Sequence, residues 1–442
     1  MKAEPPIRTR MFWTWDHSTE WALNRPGAQT MGASNHYGRS AEAFVQDYTN
    51  LLTWCGRHGV DAVVVWGLLR DCHGGVESVK RLCEVAARAG VRLLCGVGLN
   101  AYGGVYYEGG SPYGLENHLA KHPELYAVDA SGNRMVFNFG IAGPRLSHHA
   151  CPSRRENREF AAESLQWLFR SAPIGGAQIE SGDTGVCQCK QCRDRRQHPS
   201  SGFSWEDMAL MYPLAGDAIS AASKDAWIIC ETYSHPEPVE ATAQAPGFGE
   251  GKPAWADAAI SRFPGGAFVQ WVCDRWVKPK GDLKWTEAGK AAVGRRNIMR
   301  AHFGTYWGRY RGELAVDWIA GMVRASVSHG FDTISLFGEV SPFHAGAELN
   351  YLALADYGSV GNPAAELDRF LTRVAAPMLG GTQAAREFLR LARTLDDRGR
   401  LPAALVAVRR RAASLPAEPA RRWTWLANYL ASFAYPEPPG DA

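Results

Sequence analysis

Four acidic residues each follow a short apolar run that has the composition of a buried strand. The four are Glu180, Glu231, Asp274 and Glu339. Glycoside hydrolysis needs two carboxyl groups: one protonates the leaving oxygen, and the other acts as nucleophile or as the base for a water. A separation of about 5 Å gives retention of configuration, and roughly 6.5–9.5 Å gives inversion. The sequence therefore offers candidates for a catalytic pair.

Glu180 is the first candidate for the acid, because it ends its strand and has a second acid, Asp183, one turn further on. Glu339 is the candidate for the second carboxylate, since the eighth strand of a barrel lies across the mouth from the fourth. Glu231 is its rival, because the fourth and fifth strands are neighbours. The alternative is that these acids pair with rim arginines such as Arg300.

Aromatic and polar residues follow the same strand ends, where a sugar ring would stack on an aromatic face and exchange hydrogen bonds. The chain has 16 Trp, 15 Tyr and 17 Phe, which supports a carbohydrate partner. The candidate substrate-binding residues are Trp15, Asp16, Trp66, Arg70, Asn100, Asp183, Asp274, Trp271, His302 and Trp307. Core packing is the alternative explanation for any one of the tryptophans.

Three cysteines lie within six residues after the first acid: Cys187, Cys189 and Cys192. Cys151 or a nearby histidine is the candidate for a fourth ligand of a tetrahedral zinc site. Three or four thiolates leave no open coordination position, so we expect a structural zinc and no cofactor for catalysis. A disulfide, in an exported protein, and free thiols are the alternatives.

Apolar runs alternate with amphipathic helices along most of the chain, which predicts βαβ units and a parallel sheet. The eight predicted strands are 10–15, 62–66, 91–97, 177–180, 227–231, 268–274, 297–303 and 333–339. The predicted fold class is an α/β (β/α)8 TIM barrel with a long insertion after the third strand and a C-terminal helical appendage. We predict a catalytic barrel over 1–358 and a helical region packed on it over 359–442. An open doubly wound sheet is the alternative, but the first strand lacks the Gly-rich loop such a sheet would show.

Composition excludes several other classes of protein. A net charge of +3 over 442 residues gives no sign of nucleic-acid binding. The sequence has no apolar run of about 18 residues, so no membrane span is predicted. The first residues lack the apolar core of a signal peptide. The default expectation is a cytoplasmic protein, with a removed signal and a periplasmic or secreted location as the alternative. The sequence does not fix the oligomeric state; a homodimer is one option.

Several segments together resemble a known family. They are 122–126, 129–134, 150–157, 180–192, 339–344 and 348–351. They resemble the bacterial DUF4838-type family, which is similar to α-glucuronidase-like and N-acetylhexosaminidase-like TIM-barrel glycoside hydrolases. The resemblance implies a barrel that acts on glycans, with the acid/base of related families at Glu180.

The chain departs from those relatives at two points. Ile179 precedes Glu180 where the substrate-assisted hexosaminidases have an aspartate, which argues against assistance by an N-acetyl group. The seventh strand has His302 and Gly304 in place of the nucleophilic glutamate of the commonest retaining enzymes, so the second carboxylate is expected from Glu339. The sequence thus predicts a glycoside hydrolase. A non-catalytic carbohydrate-binding barrel and a metal-dependent hydrolase are the alternatives.

Overall fold

The structure of the protein is a computed structural model. It describes residues 5–15, 40–138, 144–146, 148–198, 200, 202–239, 251–273, 295–301, 312–338, 344–395 and 397–434.

Eight parallel strands close into a barrel, and each strand pairs with its neighbours in chain order until the last pairs with the first. The barrel strands are β1 (Thr9–Trp15), β2 (Ala62–Trp66), β3 (Arg92–Gly98), β4 (Gly176–Glu180), β5 (Trp227–Glu231), β6 (Phe268–Cys273), β7 (Arg296–Ala301) and β8 (Thr333–Gly338). The predicted (β/α)8 barrel is therefore confirmed.

Helices follow the strands on the outside of the barrel. They are α1 (Ala41–His58), α2 (Gly75–Ala89), α3 (Leu115–Lys121), α4 (Arg155–Ser171), α5 (Lys190–Arg195), α6 (Trp205–Ala222), α7 (Ala256–Ile260), α8 (Val316–Ser328) and α9 (Ala345–Asp356). Local sequence sets their ends: the Ser40 hydroxyl accepts a hydrogen bond from the Ala43 N–H at 3.3 Å, and Gly59 ends α1 in the left-handed region.

The strands place alternate side chains inside and outside the barrel. Residues such as Met11, Val64 and Ile298 form an apolar cluster inside it, separate from the larger core between the strands and the helices. At Gly96, a Cβ would lie 2.3 Å from the indole of Trp66. This glycine therefore lets the Trp66 ring pack against the wall of β3.

The predicted insertion after β3 is also present. It contains α3, a 3-10 turn at Pro123–Leu125 and an antiparallel strand pair, Val136–Asn138 with Pro144–Leu146. A small apolar cluster that includes Leu115, Leu119 and Leu125 packs inside it. The insertion returns to the barrel at α4.

The C-terminal region is helical, as predicted. Its helices are α10 (Leu367–Phe370), α11 (Ala376–Leu379), α12 (Thr382–Ala392), α13 (Leu401–Ala413) and α14 (Ala417–Ser432), with a π-helical turn at Leu371–Ala375. Arg422 of α14 forms an ion pair with Glu348 of α9 at 2.7 Å, which joins the region to the barrel. The domain division at residue 358 stays a prediction. None of the helices described has the length and apolar character of a membrane span.

Candidate active site

Glu180 is the last residue of β4 and is 5% exposed. Its Oε1 accepts a hydrogen bond from Gln178 Nε2 at 2.8 Å, and its Oε2 accepts one from the Tyr233 hydroxyl at 3.0 Å. Its backbone oxygen accepts from the Leu99 N–H at 2.7 Å. The carboxyl group is therefore fixed at the C-terminal face of the barrel, where TIM-barrel active sites lie.

Glu231 ends the neighbouring strand β5, and its side chain is fully buried. Oε1 accepts hydrogen bonds from the backbone N–H groups of Thr232 at 3.1 Å and Tyr233 at 2.9 Å. Oε2 accepts from Gln270 Nε2 at 2.5 Å and lies 3.0 Å from Arg300 Nε. Three hydrogen bonds and the ion pair with Arg300 therefore hold this group in place.

Burial and the neighbouring Glu231 carboxylate raise the pKa of Glu180 to about 8. Arg300 and the hydrogen bonds from Tyr233 and Gln178 oppose this change in pKa but do not cancel it. Glu180 therefore keeps its proton at neutral pH, as a general acid requires.

Asp183 lies three residues beyond Glu180 and is partly buried. The Tyr102 hydroxyl donates a hydrogen bond to its Oδ1. Burial raises the pKa of Asp183 to about 6, with a smaller contribution from Glu231 and opposition from Arg300. Two carboxyl groups with raised pKa values thus lie on the same short segment.

Tyr233 connects the two glutamates and was not found by sequence reasoning. Its hydroxyl donates to Glu180 and accepts the Gly182 N–H at 3.0 Å, while its own N–H donates to Glu231. Its φ of 58° lies in the left-handed region, which is uncommon for a non-glycine residue. Such backbone strain clusters at functional sites. Its place two residues after Glu231 was the only available signal.

Arg300 of β7 is a basic residue of the site. It is 3% exposed, and its guanidinium carbon lies 4.5 Å from the Trp13 ring centroid. The arginine pairing that the sequence offered as an alternative is observed for Glu231. Gln178 and Gln270, which sequence reasoning missed, complete a polar layer inside the barrel.

The structure places three of the predicted substrate-binding residues around the barrel mouth in buried positions. Trp66 lies inside the barrel, with its ring 6.1 Å from that of Tyr102. Arg70 is fully buried, and its Nη1 lies 3.3 Å from Glu108 Oε2. Asn100 is 5% exposed and accepts the Ala150 N–H on its backbone oxygen at 2.8 Å.

Trp271 is not brought to the carboxyl groups. It belongs to the core between strands and helices, and its indole N–H donates to Asn297 Oδ1 at 2.9 Å. Trp15 ends β1. The other predicted site residues lie outside the described part of the chain: Asp16, Asp274, His302, Trp307 and Glu339.

The four predicted cysteine ligands come together. The sulfur atoms of Cys151, Cys187, Cys189 and Cys192 all lie within 4.8 Å of one another. The Cys151 sulfur is 3.6 Å from those of both Cys189 and Cys192. Three of the four side chains are buried, and none of the described cysteines is in a disulfide. This cysteine cluster has a donor set that can bind a metal ion.

The hydrogen-bond donors around the cysteine cluster suit thiolate sulfur. The Val128 N–H donates to Cys187 Sγ at 3.5 Å, and the Ser153 hydroxyl lies 3.0 Å from Cys192 Sγ. Arg195 Nη2 lies 4.0 Å from Cys192 Sγ. Donors of this kind orient metal ligands and stabilise their negative charge.

Comparisons with known proteins give a fold likeness. No family model and no curated protein sequence match this chain. A β-N-acetylhexosaminidase from Bacteroides fragilis is 14% identical, with a TM-score of 0.50 over 85% of this chain and 70% of that one. An O-GlcNAc hydrolase mutant from Thermobaculum terrenum is 10% identical, with a TM-score of 0.51 over 96% and 83%.

A third similar structure is an enzyme of glycoside hydrolase family 138 that targets pectin rhamnogalacturonan II. It is 11% identical, with a TM-score of 0.56 over 98% of this chain and 57% of that one. All three similar structures are of glycoside hydrolases, and at these identities the likeness establishes the fold alone.

Proposed function

We propose that this protein is a glycoside hydrolase that cleaves an O-glycosidic bond in a glycan or oligosaccharide, with Glu180 as the general acid. The environment of Glu180 is the observation that carries the proposal. Burial and the adjacent Glu231 raise the pKa of this carboxyl group to about 8, so it holds a proton that it can donate to the leaving oxygen. The glycoside hydrolase activity of the similar structures supports the same reaction class.

Glu231 has a positioning role in this proposal. Its two oxygens accept three hydrogen bonds and form an ion pair with Arg300, so an attack on a sugar carbon would require breaking that ion pair. Its fixed charge instead raises the pKa of Glu180. The second carboxylate of the reaction remains Glu339 in this proposal, and Asp183 is the described acid that would replace it.

We also propose that the cysteine cluster holds a structural zinc ion. Four sulfurs at about 2.3 Å from a tetrahedral zinc would lie about 3.8 Å apart. The distance of 3.6 Å from Cys151 to both Cys189 and Cys192 is close to that value. Four thiolates fill the coordination sphere, so such an ion would bind no substrate and activate no water.

Replacing Glu180 with Gln tests the proposed acid. The variant keeps the shape of the side chain but has no acidic proton to transfer, so turnover of a glycoside with a poor leaving group should fall on the order of a thousandfold. Glycosides with a good leaving group need less protonation and should be affected less. Steady-state rates on a panel of aryl glycosides and oligosaccharides measure both effects.

The matched control is Glu163→Gln, on the exposed side of α4. It should retain wild-type rates, and both variants should unfold cooperatively. Near-wild-type turnover by Glu180→Gln would refute the assignment. A wild-type protein that binds sugars but hydrolyses no glycoside in the panel would instead support the non-catalytic carbohydrate-binding barrel.

A further inference from the structure

We infer that the metal ion of the cysteine cluster positions the active-site segment Glu180–Asp183, so that turnover depends on an ion that touches no reacting atom. The inference rests on the proposed hydrolase and the proposed ion. It goes beyond both, because it couples two sites that the chain's own contacts join.

The cysteine cluster is close to the proposed acid along the chain. Cys187 follows Glu180 by seven residues, and residues 181–189 contain no helix or strand. Regular backbone hydrogen bonding therefore does not fix this stretch. Its conformation depends instead on contacts with other segments. The Gly182 N–H donates to the Tyr233 hydroxyl at 3.0 Å, the Gly185 N–H donates to the Gly202 oxygen at 2.9 Å, and the three cysteines lie at the far end of the stretch.

The fourth cysteine comes from the insertion after β3. The Ala150 N–H, next to Cys151, donates to the Asn100 backbone oxygen at 2.8 Å, and the Leu99 N–H donates to the Glu180 oxygen at 2.7 Å. The segment with Cys187, Cys189 and Cys192 follows Glu180 in the chain. The segment with Cys151 is joined to Glu180 by these two hydrogen bonds, through Leu99 and Asn100. An ion between the two segments would close a loop around the active-site segment.

Hydrogen bonds cross between the two segments on the path from the cluster to the acid. The Gln188 N–H donates to the Val128 oxygen at 2.7 Å. His149 Nε2 lies 2.7 Å from Thr184 Oγ1, next to Asp183. A shift of either segment would therefore move Asp183.

The active-site segment and the cluster also share one pocket. Asn100, His149, Ser181, Gly182 and Cys187 all line it. Gly182 has a φ of 100°, and a Cβ there would lie 3.0 Å from the Ala101 side chain, so the segment is packed closely against the insertion. Displacement of Cys187 would therefore change the shape of the pocket that Ser181 and Gly182 also line.

Apolar packing around the cluster is too small to replace the ion. Apart from the cysteines, the local core consists of Ala127, Met135 and part of Val128. Arg196, which is ion-paired with Asp207 at 2.6 Å, donates a hydrogen bond to the Cys187 backbone oxygen at 2.6 Å. An ion bound by the four sulfurs would therefore add a cross-link between segments that share few apolar contacts.

The test compares the zinc-loaded protein with protein from which the ion has been removed by a mercurial reagent, a reducing agent and a chelator. Removal should lower kcat/KM on the order of a hundredfold, since small displacements of catalytic groups have effects of that size. Hydrogen exchange should accelerate in 148–154 and 181–192, while β1 and β2 keep their protection. Added Zn²⁺ should restore both readouts.

Cobalt supplies a readout independent of activity. Co²⁺ bound to the emptied protein should give the absorption bands of a tetrahedral thiolate complex, and the pH profile of the cobalt and zinc forms should be the same. A pH profile that changes with the metal would place the ion at the reaction centre and overturn the inference. Unchanged turnover and exchange after removal, or a chain that binds no metal at all, would overturn it equally.

Cysteine variants provide the matched pair. Cys189→Ser replaces the cluster residue that is partly exposed, so it should weaken metal binding with little cost to folding, and Cys72→Ser replaces an exposed cysteine outside the cluster. Only the first should lose metal and kcat/KM and gain exchange in 181–192. If the loaded protein hydrolyses no glycoside, the proposed function fails, but metal binding and hydrogen exchange still decide whether the ion orders the segment.

Discussion

At the scale of single residues, the two buried glutamates differ because their hydrogen-bond partners differ. Glu231 accepts hydrogen bonds from two backbone N–H groups and from Gln270, and it forms an ion pair with Arg300. Glu180 accepts from one amide and one hydroxyl, and the nearest fixed charge that disfavours its ionisation is Glu231 itself. Such a division of one charged and one protonated carboxyl group is the arrangement that acid catalysis uses.

Tyr233→Phe should move the alkaline limb of the pH–activity profile. The Tyr233 hydroxyl stabilises the ionised form of Glu180, so its loss raises the pKa of Glu180 further above about 8. In the proposed mechanism the protonated form of Glu180 is the active one, so the fall in kcat/KM at high pH should move upward by roughly one pH unit. Rates between pH 5 and 10 measure the shift.

Tyr212→Phe is the control for that prediction, because it removes an equally buried hydroxyl whose hydrogen bond goes to the Glu231 backbone oxygen at 2.7 Å. Tyr212→Phe should lower the free energy of unfolding, but it should move the alkaline limb of the pH–activity profile much less than Tyr233→Phe does. An alkaline limb that stays in place in Tyr233→Phe would show that the hydroxyl does not tune Glu180.

The raised pKa of Glu180 also predicts a dependence of stability on pH. Between the ordinary glutamate pKa and about 8, the folded state keeps this proton and the unfolded state loses it. The contribution of Glu180 to stability therefore decreases as pH rises through that window and is constant above it. Glu180→Gln should remove this decrease, so denaturant unfolding at pH 5 and pH 8.5 should show a smaller pH effect in the variant than in wild type.

At the scale of elements, the wall between β2 and β3 depends on one glycine. A methyl group at Gly96 would lie 2.3 Å from the Trp66 indole. The ring is buried inside the barrel, so it can move away only if its neighbours move too. Gly96→Ala should cost about 1–3 kcal/mol of the free energy of unfolding, the usual effect of overpacking. Urea denaturation measures it.

Gly90→Ala is a useful comparison, because nothing lies within 4 Å of a Cβ at Gly90. The loss of stability in this variant comes from the backbone φ of 69° alone. The Gly96 effect should be relieved by Trp66→Phe in the same chain, whereas the Gly90 effect should not. Equal stability of Gly96→Ala and wild type would contradict the packing argument.

At the scale of the whole molecule, the C-terminal helices share a core with the barrel helices. Trp423 of α14 is fully buried, its indole N–H donates to the Leu379 oxygen at 3.0 Å, and the Arg422 ion pair reaches α9. Trp423→Ala should lower stability by about 3–5 kcal/mol. If the helical region and the barrel unfold together, calorimetry should show one transition moved to lower temperature.

The control for Trp423→Ala is Arg409→Ala, at an exposed position of α13, which should leave the transition in place. A variant in which only part of the heat absorption moves would indicate that the helical region unfolds separately from the barrel. That outcome would support the predicted division at residue 358.

Much of the architecture could be predicted from the sequence because its signals are local. Each barrel strand is a short apolar run, and the acids that end four of the runs mark the end at which parallel strands present their functional groups. Glu180 and Glu231 were found in this way. The spacing of Cys187, Cys189 and Cys192 is equally local, since a turn and one short helix bring all three sulfurs together.

Only the tertiary structure decided which partners meet across the barrel. Gln270 and Arg300 reach Glu231 from β6 and β7, and Tyr233 reaches Glu180 by a left-handed backbone turn. These contacts depend on strand register and on strain that the surrounding packing maintains, and neither leaves a periodic trace in the sequence. Register also explains Trp271: it follows Gln270, whose side chain points into the barrel, so its own side chain lies on the outer face.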